Sequence, residues 1–325
     1  MKKKILILGI SSFAGYTFAK YMLKKKYYVY GTYNSNIKIF SDIKKNKNLK
    51  LFKINLEKNY SRLFQVAKKI NPFYIVDFSS ICMVNESWSY PEKYLKINCI
   101  SKLELIKNIN LIKNLKKFLY ISTPEVFGKT KKNLTENFKL FNPSTPYAST
   151  KLLIENLIRN YQSSNNKKFI IARFSNFYGP GQPLYRLIPK LIISIKKKIK
   201  FTIHGNGLSK RNFIFSDDFC NGIFMVLKKV TTGKSYHFSS ETLYTVKQVV
   251  CKVCRLMNVD FNATINFGSD RIGKDDMYKL DCRKTKKELN WKCKTSLEKG
   301  IVQTIRHIEK NYKFLKNYNI NFEMK

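Results

Sequence analysis

The sequence predicts an α/β protein, a doubly wound parallel sheet with a smaller α/β C-terminal lobe, and three observations carry that prediction. Short apolar runs at residues 4–8, 27–32, 52–56, 73–78, 118–121 and 169–173 alternate with segments of helical periodicity at 16–25, 61–70, 94–109 and 151–161. The first run stops at a glycine turn that leads straight into the first helical segment. After Phe177 the texture changes to a loop rich in turn formers, so the chain divides into a dinucleotide-binding domain over 1–176 and a substrate lobe over 177–325, interleaved with the first.

Composition narrows the class. The chain has 325 residues, 44% of them hydrophobic and 14% aromatic, enough for a real core. A net charge of +41 would ordinarily point to a polyanion partner. The lysines, however, are spread over nearly every segment, and runs such as 24–26, 129–132 and 196–198 read as solvated helix ends and loops. No nucleic-acid partner is therefore expected, although anionic substrates would be attracted. Seven cysteines at irregular spacings argue against a disulfide framework and for a reducing compartment. Cys251 and Cys254 form a lone CxxC in a helix-like segment at 246–257, with no second pair, and a metal site is not expected. No run of about twenty apolar residues predicts a membrane span. The N-terminal apolar run breaks at Gly9 without a small-residue cleavage site, so the protein is expected to be cytoplasmic.

Each element then has a reading. Strand 4–8, the turn from Gly9 to Gly15 and helix 16–25 form the Rossmann-type arrangement that turns backbone N–H groups and a helix N-terminus toward a pyrophosphate. Ser12 stands where a middle glycine is often found. The second strand ends in Gly31-Thr32-Tyr33-Asn34-Ser35 without a carboxylate for the ribose hydroxyls of NAD. Either Asn34 or Ser35 makes that contact, or the site admits a 2′-phosphate and the cofactor is NADP. The fourth strand, 73–78, ends in Ser79 and Ser80, small residues that let the backbone approach a ligand. Helix 94–109 carries Asn98, which taken alone reads as a helix-surface residue. Run 118–121 stops at Ser122, Thr123, Pro124 and Glu125, delivering hydroxyls and a carboxylate at a strand's end. Tyr147 and Lys151 lie four apart and share one helix face. An ammonium beside a phenol favours the phenolate and lowers a pKa of about 10, so Tyr147 could act as a base. Such pairs are common on helices, and the rest of the chain supplies the context. Beyond the loop at 176–183 come a helix at 185–196, a strand at 200–203, a turn at Gly205-Asn206-Gly207, and Phe213 to Phe215 ahead of Asp217 and Asp218.

Taken together, the pieces resemble the extended short-chain dehydrogenase/reductases that modify nucleotide sugars, along nearly the full length, and most of all the dTDP-glucose 4,6-dehydratase branch. The matching stretches are the Gly9–Gly15 turn; residues 76–84 with Asn98; Thr123-x-Glu125-x-x-Gly128; Tyr147-x-x-x-Lys151; Arg173-x-x-Asn176-x-Tyr178-Gly179-Pro180; residues 187–190; Gly205-x-Gly207 with Arg211; and Asp270-Arg271 with Gly273, Tyr278, Asp281 and residues 288–291. The resemblance implies that Thr123, Tyr147 and Lys151 form a catalytic triad, with Asn98 supporting Lys151 through water and Glu125 removing the sugar's C5 proton. It implies dinucleotide contacts at Gly9, Ser12, Phe13, Gly15, Asn34, Asn55, Leu56, Phe78, Ser79 and Ser80 as well as Tyr147 and Lys151, the cofactor being NAD with NADP open. Asn176, Arg211 and Arg271 would hold the diphosphate of a nucleotide-sugar substrate. It further implies a homodimer paired through helices 94–109 and 151–161, and a place in polysaccharide biosynthesis.

Two departures stand out. The dTDP-glucose dehydratases carry Asp where this chain has Pro124, which has no proton to give a leaving hydroxyl; GDP-mannose 4,6-dehydratases and UDP-glucuronate decarboxylases are similar to this chain in keeping Thr-x-Glu without it. Asn212 stands where many relatives have Asp. The expected reaction is 4,6-dehydration. A C4 epimerase, which needs no base at C5, a decarboxylase, and a polyanion-binding module that uses the +41 charge are the alternatives.

Overall fold

The structure, a computed structural model, describes residues 3–34, 42–130, 132–164, 168–270 and 277–321. Its centre is a seven-stranded parallel sheet. In chain order the elements that build and cover the sheet are β1 (Lys4–Leu8), α1 (Phe13–Lys24), β2 (Tyr28–Tyr33), β3 (Leu49–Lys53), α2 (Ser61–Ile70), β4 (Tyr74–Asp77), α3 (Ser101–Lys107), β5 (Lys117–Ser122), α4 (Pro146–Ser163) and β6 (Phe169–Phe174). They are followed by α5 (Leu187–Lys196), α6 (Ser216–Lys229), β7 (Ser235–Phe238), α7 (Val246–Leu256) and α8 (Leu297–Lys310).

The strand order is β7-β6-β5-β4-β1-β2-β3, with every neighbouring pair parallel. Strands β4 and β6 are buried from end to end and β1 is buried after Lys4, which is why they read as unbroken apolar runs and not as alternating ones. The chain leaves β1 toward β2 on one side and returns to β4 on the other. Their register sets Leu8 beside Asp77, so the crevice where the strand order reverses opens at Gly9.

Helices cover both faces. On one, Phe18 and Met22 of α1 meet Ile223 and Val226 of α6; on the other, Leu63 and Ala67 of α2 pack with Leu105 of α3 and Ile154 of α4. A separate core joins Leu191 of α5, Val253 of α7 and Ile301 of α8. Although it follows this lobe's first helix in sequence, β7 returns to pair with β6. Among the described residues no helix is long and apolar enough to cross a membrane. All seven cysteines are free.

Four elements differ from the sequence reading. Helix α1 begins at Phe13, not residue 16, because the Ser12 hydroxyl caps it by accepting from the Gly15 N–H at 3.0 Å. Helix α4 begins at Pro146, not 151, for the same reason: Thr145 Oγ1 accepts from Ala148 N at 3.1 Å. The third strand is Leu49–Lys53, three residues earlier than the apolar run suggests. It pairs with β2 from Leu49 onward, while the Asn55 carboxamide accepts from the N–H groups of Glu57 (2.9 Å) and Lys58 (3.3 Å) and turns the chain away. The helix expected over 94–109 is broken into Pro91–Leu95, a π turn at Lys96–Ile100, α3, and a 3₁₀ turn at Ile109–Leu111. Its Asn98 is completely buried, not a surface residue. The other runs lie within two residues of the observed elements.

Candidate active site

The site assembles where the C-terminal ends of β1, β4 and β5 meet the first turns of α4. Gly9 has φ +71°, and a Cβ there would lie 2.7 Å from Ser79 Cα; a Cβ on Gly15 would lie 2.4 Å from the Gly9 carbonyl. Only glycine lets the β1–α1 turn close this tightly, and the closure leaves the N-terminus of α1 facing the crevice. Ser12 is occupied within the turn, donating to Gly9 O at 2.8 Å while it caps the helix. Phe13 stacks on Phe177 with centroids 4.3 Å apart, so its ring joins the turn to the second lobe. Asn34 is exposed at the end of β2, and Ser35 lies outside the described residues. Asn55 and Leu56 sit in the turn after β3. Phe78 is buried under Gly9. This cradle, too close for any Cβ, is what a dinucleotide pyrophosphate requires, and the residues present fit one.

Asp77, at the end of β4, orders the next loop. Its Oδ1 accepts from both the N–H (2.8 Å) and the hydroxyl (2.6 Å) of Ser79. Its Oδ2 faces the fully buried Lys102 ammonium at 3.7 Å, and Lys102 also donates to Ser79 O at 3.3 Å. Two further side chains grip this loop. Asn98 Oδ1 accepts from Ile81 N (2.9 Å) while its Nδ2 donates to Ile81 O (3.1 Å), and Tyr94 Oη bonds both backbone groups of Met83. The same Asn98 amide donates to Thr150 Oγ1 at 3.0 Å. Its direct link to α4 is therefore Thr150, between Tyr147 and Lys151, and not Lys151 itself.

Lys151 is buried and donates to Ser80 Oγ (3.1 Å) and Ile121 O (2.7 Å), with its ammonium 4.2 Å from the centroid of the Tyr120 ring. Burial brings its pKa down to about 8, against the favourable pull of Asp77. Tyr147, at the start of α4, packs its ring edge-on against Tyr94. Burial holds its phenol well above the usual tyrosine range; Cys82 and the Glu125 carboxylate push the same way, while Arg186 and a hydrogen bond with the Thr123 hydroxyl oppose them. This corrects the expectation that Lys151 lowers the phenol's pKa. The ammonium is engaged by Ser80, Ile121 and Tyr120, and burial outweighs the cations that act on Tyr147.

Thr123 ends β5 and caps the 3₁₀ turn Pro124–Phe127, its Oγ1 accepting from Glu125 N at 3.3 Å. The Thr123 hydroxyl hydrogen-bonds the Tyr147 phenol, and the Glu125 carboxylate lies near enough to act on that phenol electrostatically. Pro124 is buried at the first position of the turn.

From the second lobe, Asn176 Oδ1 accepts from Tyr278 Oη at 2.8 Å, and the Arg211 guanidinium lies 4.6 Å from the centroid of the same Tyr278 ring. Tyr278 therefore brings two of the three expected diphosphate residues together. Arg271 lies outside the described residues. Arg186 donates to Cys82 Sγ at 3.1 Å across the mouth of the site. The sequence reading missed Asp77, Tyr94, Lys102 and Arg186. Asp77, an acid closing an apolar run, was the one signal available. Asn212, buried, donates through Nδ2 to Ser240 O (2.9 Å) and Thr242 O (2.8 Å), a pairing that no carboxylate could make.

Comparison with known proteins agrees with this geometry. The family model described as GDP-mannose 4,6 dehydratase matches residues 6–304. A dTDP-D-glucose 4,6-dehydratase of Dictyostelium discoideum is 28% identical over 372 residues, covering 98% of this chain and 84% of that one. A trifunctional Arabidopsis thaliana protein with UDP-glucose 4,6-dehydratase, 3,5-epimerase and reductase activities is 30% identical over 234 residues, 71% of this chain; this chain spans only 35% of its length. Among solved structures, a dTDP-glucose 4,6-dehydratase from Bacillus anthracis in complex with NAD superposes with a TM-score of 0.87 at 26% identity, covering 96% of this chain and 98% of that one.

Proposed function

Because the chain belongs to the GDP-mannose 4,6-dehydratase family, NAD-dependent enzymes of the extended short-chain dehydrogenase/reductase type, we propose that it converts a nucleotide-diphosphate hexose into the 4-keto-6-deoxy sugar nucleotide. One observation carries this reading beyond the family. The Glu125 carboxylate lies near enough to Tyr147 to push the phenol's pKa up, which puts beside the first base a second one that an epimerase does not need.

NAD, when bound, would supply the hydride acceptor for C4 and the hydride donor for C6. Gly9, Gly15 and the α1 N-terminus would hold its pyrophosphate, with Ser80 and Lys151 beyond them. Burial keeps the Tyr147 phenol protonated, so the positive charge of bound NAD would have to favour its phenolate. Tyr147 then takes the C4 hydroxyl proton, and Thr123 donates to the C4 oxygen as the ketone forms. The ketone acidifies C5, and Glu125 removes that proton. Pro124 has none to give, so Glu125 passes the proton it has just taken to the C6 hydroxyl, which leaves as water. Glu125, reprotonated by solvent, would return a proton to C5 as C6 is reduced, Tyr147 would release the C4 hydroxyl's proton to solvent, and the net change is loss of one water. Asn176 and Arg211 hold the diphosphate, a guanidinium matching its oxygens bidentately.

Incubation with dTDP-glucose, GDP-mannose, UDP-glucose and UDP-glucuronate, read by mass, tests the reading; no loss of water from any nucleotide hexose rejects it. One observation favours decarboxylation as a second reading. Arg186 brings a guanidinium's field to Tyr147, where a C6 carboxylate could meet it, and loss of carbon dioxide from UDP-glucuronate would establish that reaction.

Three coarser features complete the proposal. A homodimer is supported by the exposed Leu95, Ile100 and Leu103, with Leu153 of α4. A cytoplasmic site is supported by seven free cysteines. Two lobes dividing near Phe177 are supported by the separate core around α5, α7 and α8.

A further inference from the structure

A charged cluster that the chemistry above does not use lies beneath the site. Arg173, near the C-terminal end of β6, the strand next to the β7 edge of the sheet, is fully buried. Its guanidinium grips Glu155 of α4 with both arms, Nε to Oε1 at 2.8 Å and Nη2 to Oε2. Nη1 is 2.9 Å from His237 Nε2, and His237 Nδ1 is 3.0 Å from the Leu134 carbonyl. A carbonyl can only accept, so Nδ1 carries the proton and Nε2 accepts from Arg173, which makes His237 a neutral spacer. The guanidinium carbon lies 4.9 Å from the centroid of the Phe127 ring and 5.6 Å from that of Phe141. Phe127 ends the turn that carries Glu125. Glu155 stands two helical turns after Tyr147 and one after Lys151, on the same helix.

One side chain thus touches both halves of the machinery: the turn that bears the C5 base and the helix that bears the C4 base. A buried ion pair is weak evidence for stability, because apolar residues of like volume often serve as well. What a planar, five-donor fork supplies is fixed geometry in several directions at once. We propose that Arg173 is a positioning residue, setting Glu125 relative to Tyr147 so that proton removal at C5 follows oxidation at C4. This rests on the dehydratase reading.

The test is single-turnover kinetics of the NAD-loaded protein with whichever nucleotide hexose loses water on the wild type. Reduced cofactor is followed by absorbance, C5 deuterium exchange and water loss by mass, and the melting temperature is measured alongside. Arg173→Lys keeps the charge and loses the fork. It should form reduced cofactor within about threefold of the wild-type rate, yet exchange at C5 and lose water at least about tenfold more slowly, so that reduced cofactor accumulates. Equal slowing of both steps, or a lower melting temperature with both rates unchanged, overturns the proposal. If Arg173→Lys does not fold, Phe127→Leu, which removes the ring beside the guanidinium together with its contacts to Phe138 and Phe141, is read by the same split. A wild type that dehydrates normally while neither variant splits the steps refutes the positioning role alone; a wild type that removes no water refutes the reaction and this inference with it.

Discussion

Asn98 and Thr150, 52 residues apart in sequence, are joined by a 3.0 Å hydrogen bond inside the protein. Through it the loop after β4 and the helix of Tyr147 and Lys151 become one unit, since the same Asn98 amide also bonds both backbone groups of Ile81, and Thr150 donates to Tyr147 O at 2.7 Å. The π turn at Lys96–Ile100 carries this amide at its centre; such turns are frequent at functional sites.

Asn98→Leu keeps the branched shape and removes the bonds that Asn98 makes to Ile81 and Thr150. Buried groups left without partners cost about 1–3 kcal/mol each. The variant should lose at least that much in denaturant melts, and its turnover should fall by more than the loss of folded protein accounts for. Unchanged melting would show the amide to be dispensable.

Glu125→Gln is nearly isosteric and should keep fold and cofactor while slowing elimination about 10²–10⁴-fold, the usual cost of a lost general base. Reduced cofactor should build up, with little solvent deuterium entering C5. Tyr147→Phe should instead leave the cofactor oxidised. Wild-type turnover in Glu125→Gln would make the carboxylate structural and an epimerase the better reading.

Lys151 links stability to pH. Its folded pKa of about 8 lies below the ordinary 10.5, so the fold disfavours the charged form. The penalty is present in full below pH 8 and is relieved as pH rises from 8 to 10.5, where the unfolded chain holds more protons. The wild-type melting temperature should gain from this group across that window, and Lys151→Met should lack the gain. Affinity for NAD should run the other way, weakening as the ammonium is lost above pH 8. A Lys151→Met protein with the wild-type pH profile of stability would contradict the assignment.

Asn212→Asp sets an acceptor against the carbonyls of Ser240 and Thr242. Destabilisation of about 1–3 kcal/mol at neutral pH is expected. The deficit should shrink toward acid pH, where a protonated carboxyl recovers one donor. Equal melting of the two proteins at pH 7 would refute this account.

The sequence by itself determined the features that depend on local pattern. Strands buried on both faces appear as unbroken apolar runs, the β1–α1 turn shows its glycines, and a spacing of four puts Tyr147 and Lys151 on one helix face whatever surrounds them. What a side chain touches once buried was decided only by the tertiary structure. Asn98 looked like a surface residue because nothing within a helical turn of it reveals a π turn or a partner at Ile81 and Thr150. Lys151 looked like the partner of Tyr147, but the end of β5 and the loop after β4 supply its acceptors. Arg173 sits in an apolar run where its charge is tolerable only because Glu155, His237 and Phe127, brought from three other segments, surround it. The physical reason is common to all three: solvation and pairing energies of buried polar groups depend on the segments packed around them, and sequence distance carries almost no information about which those will be.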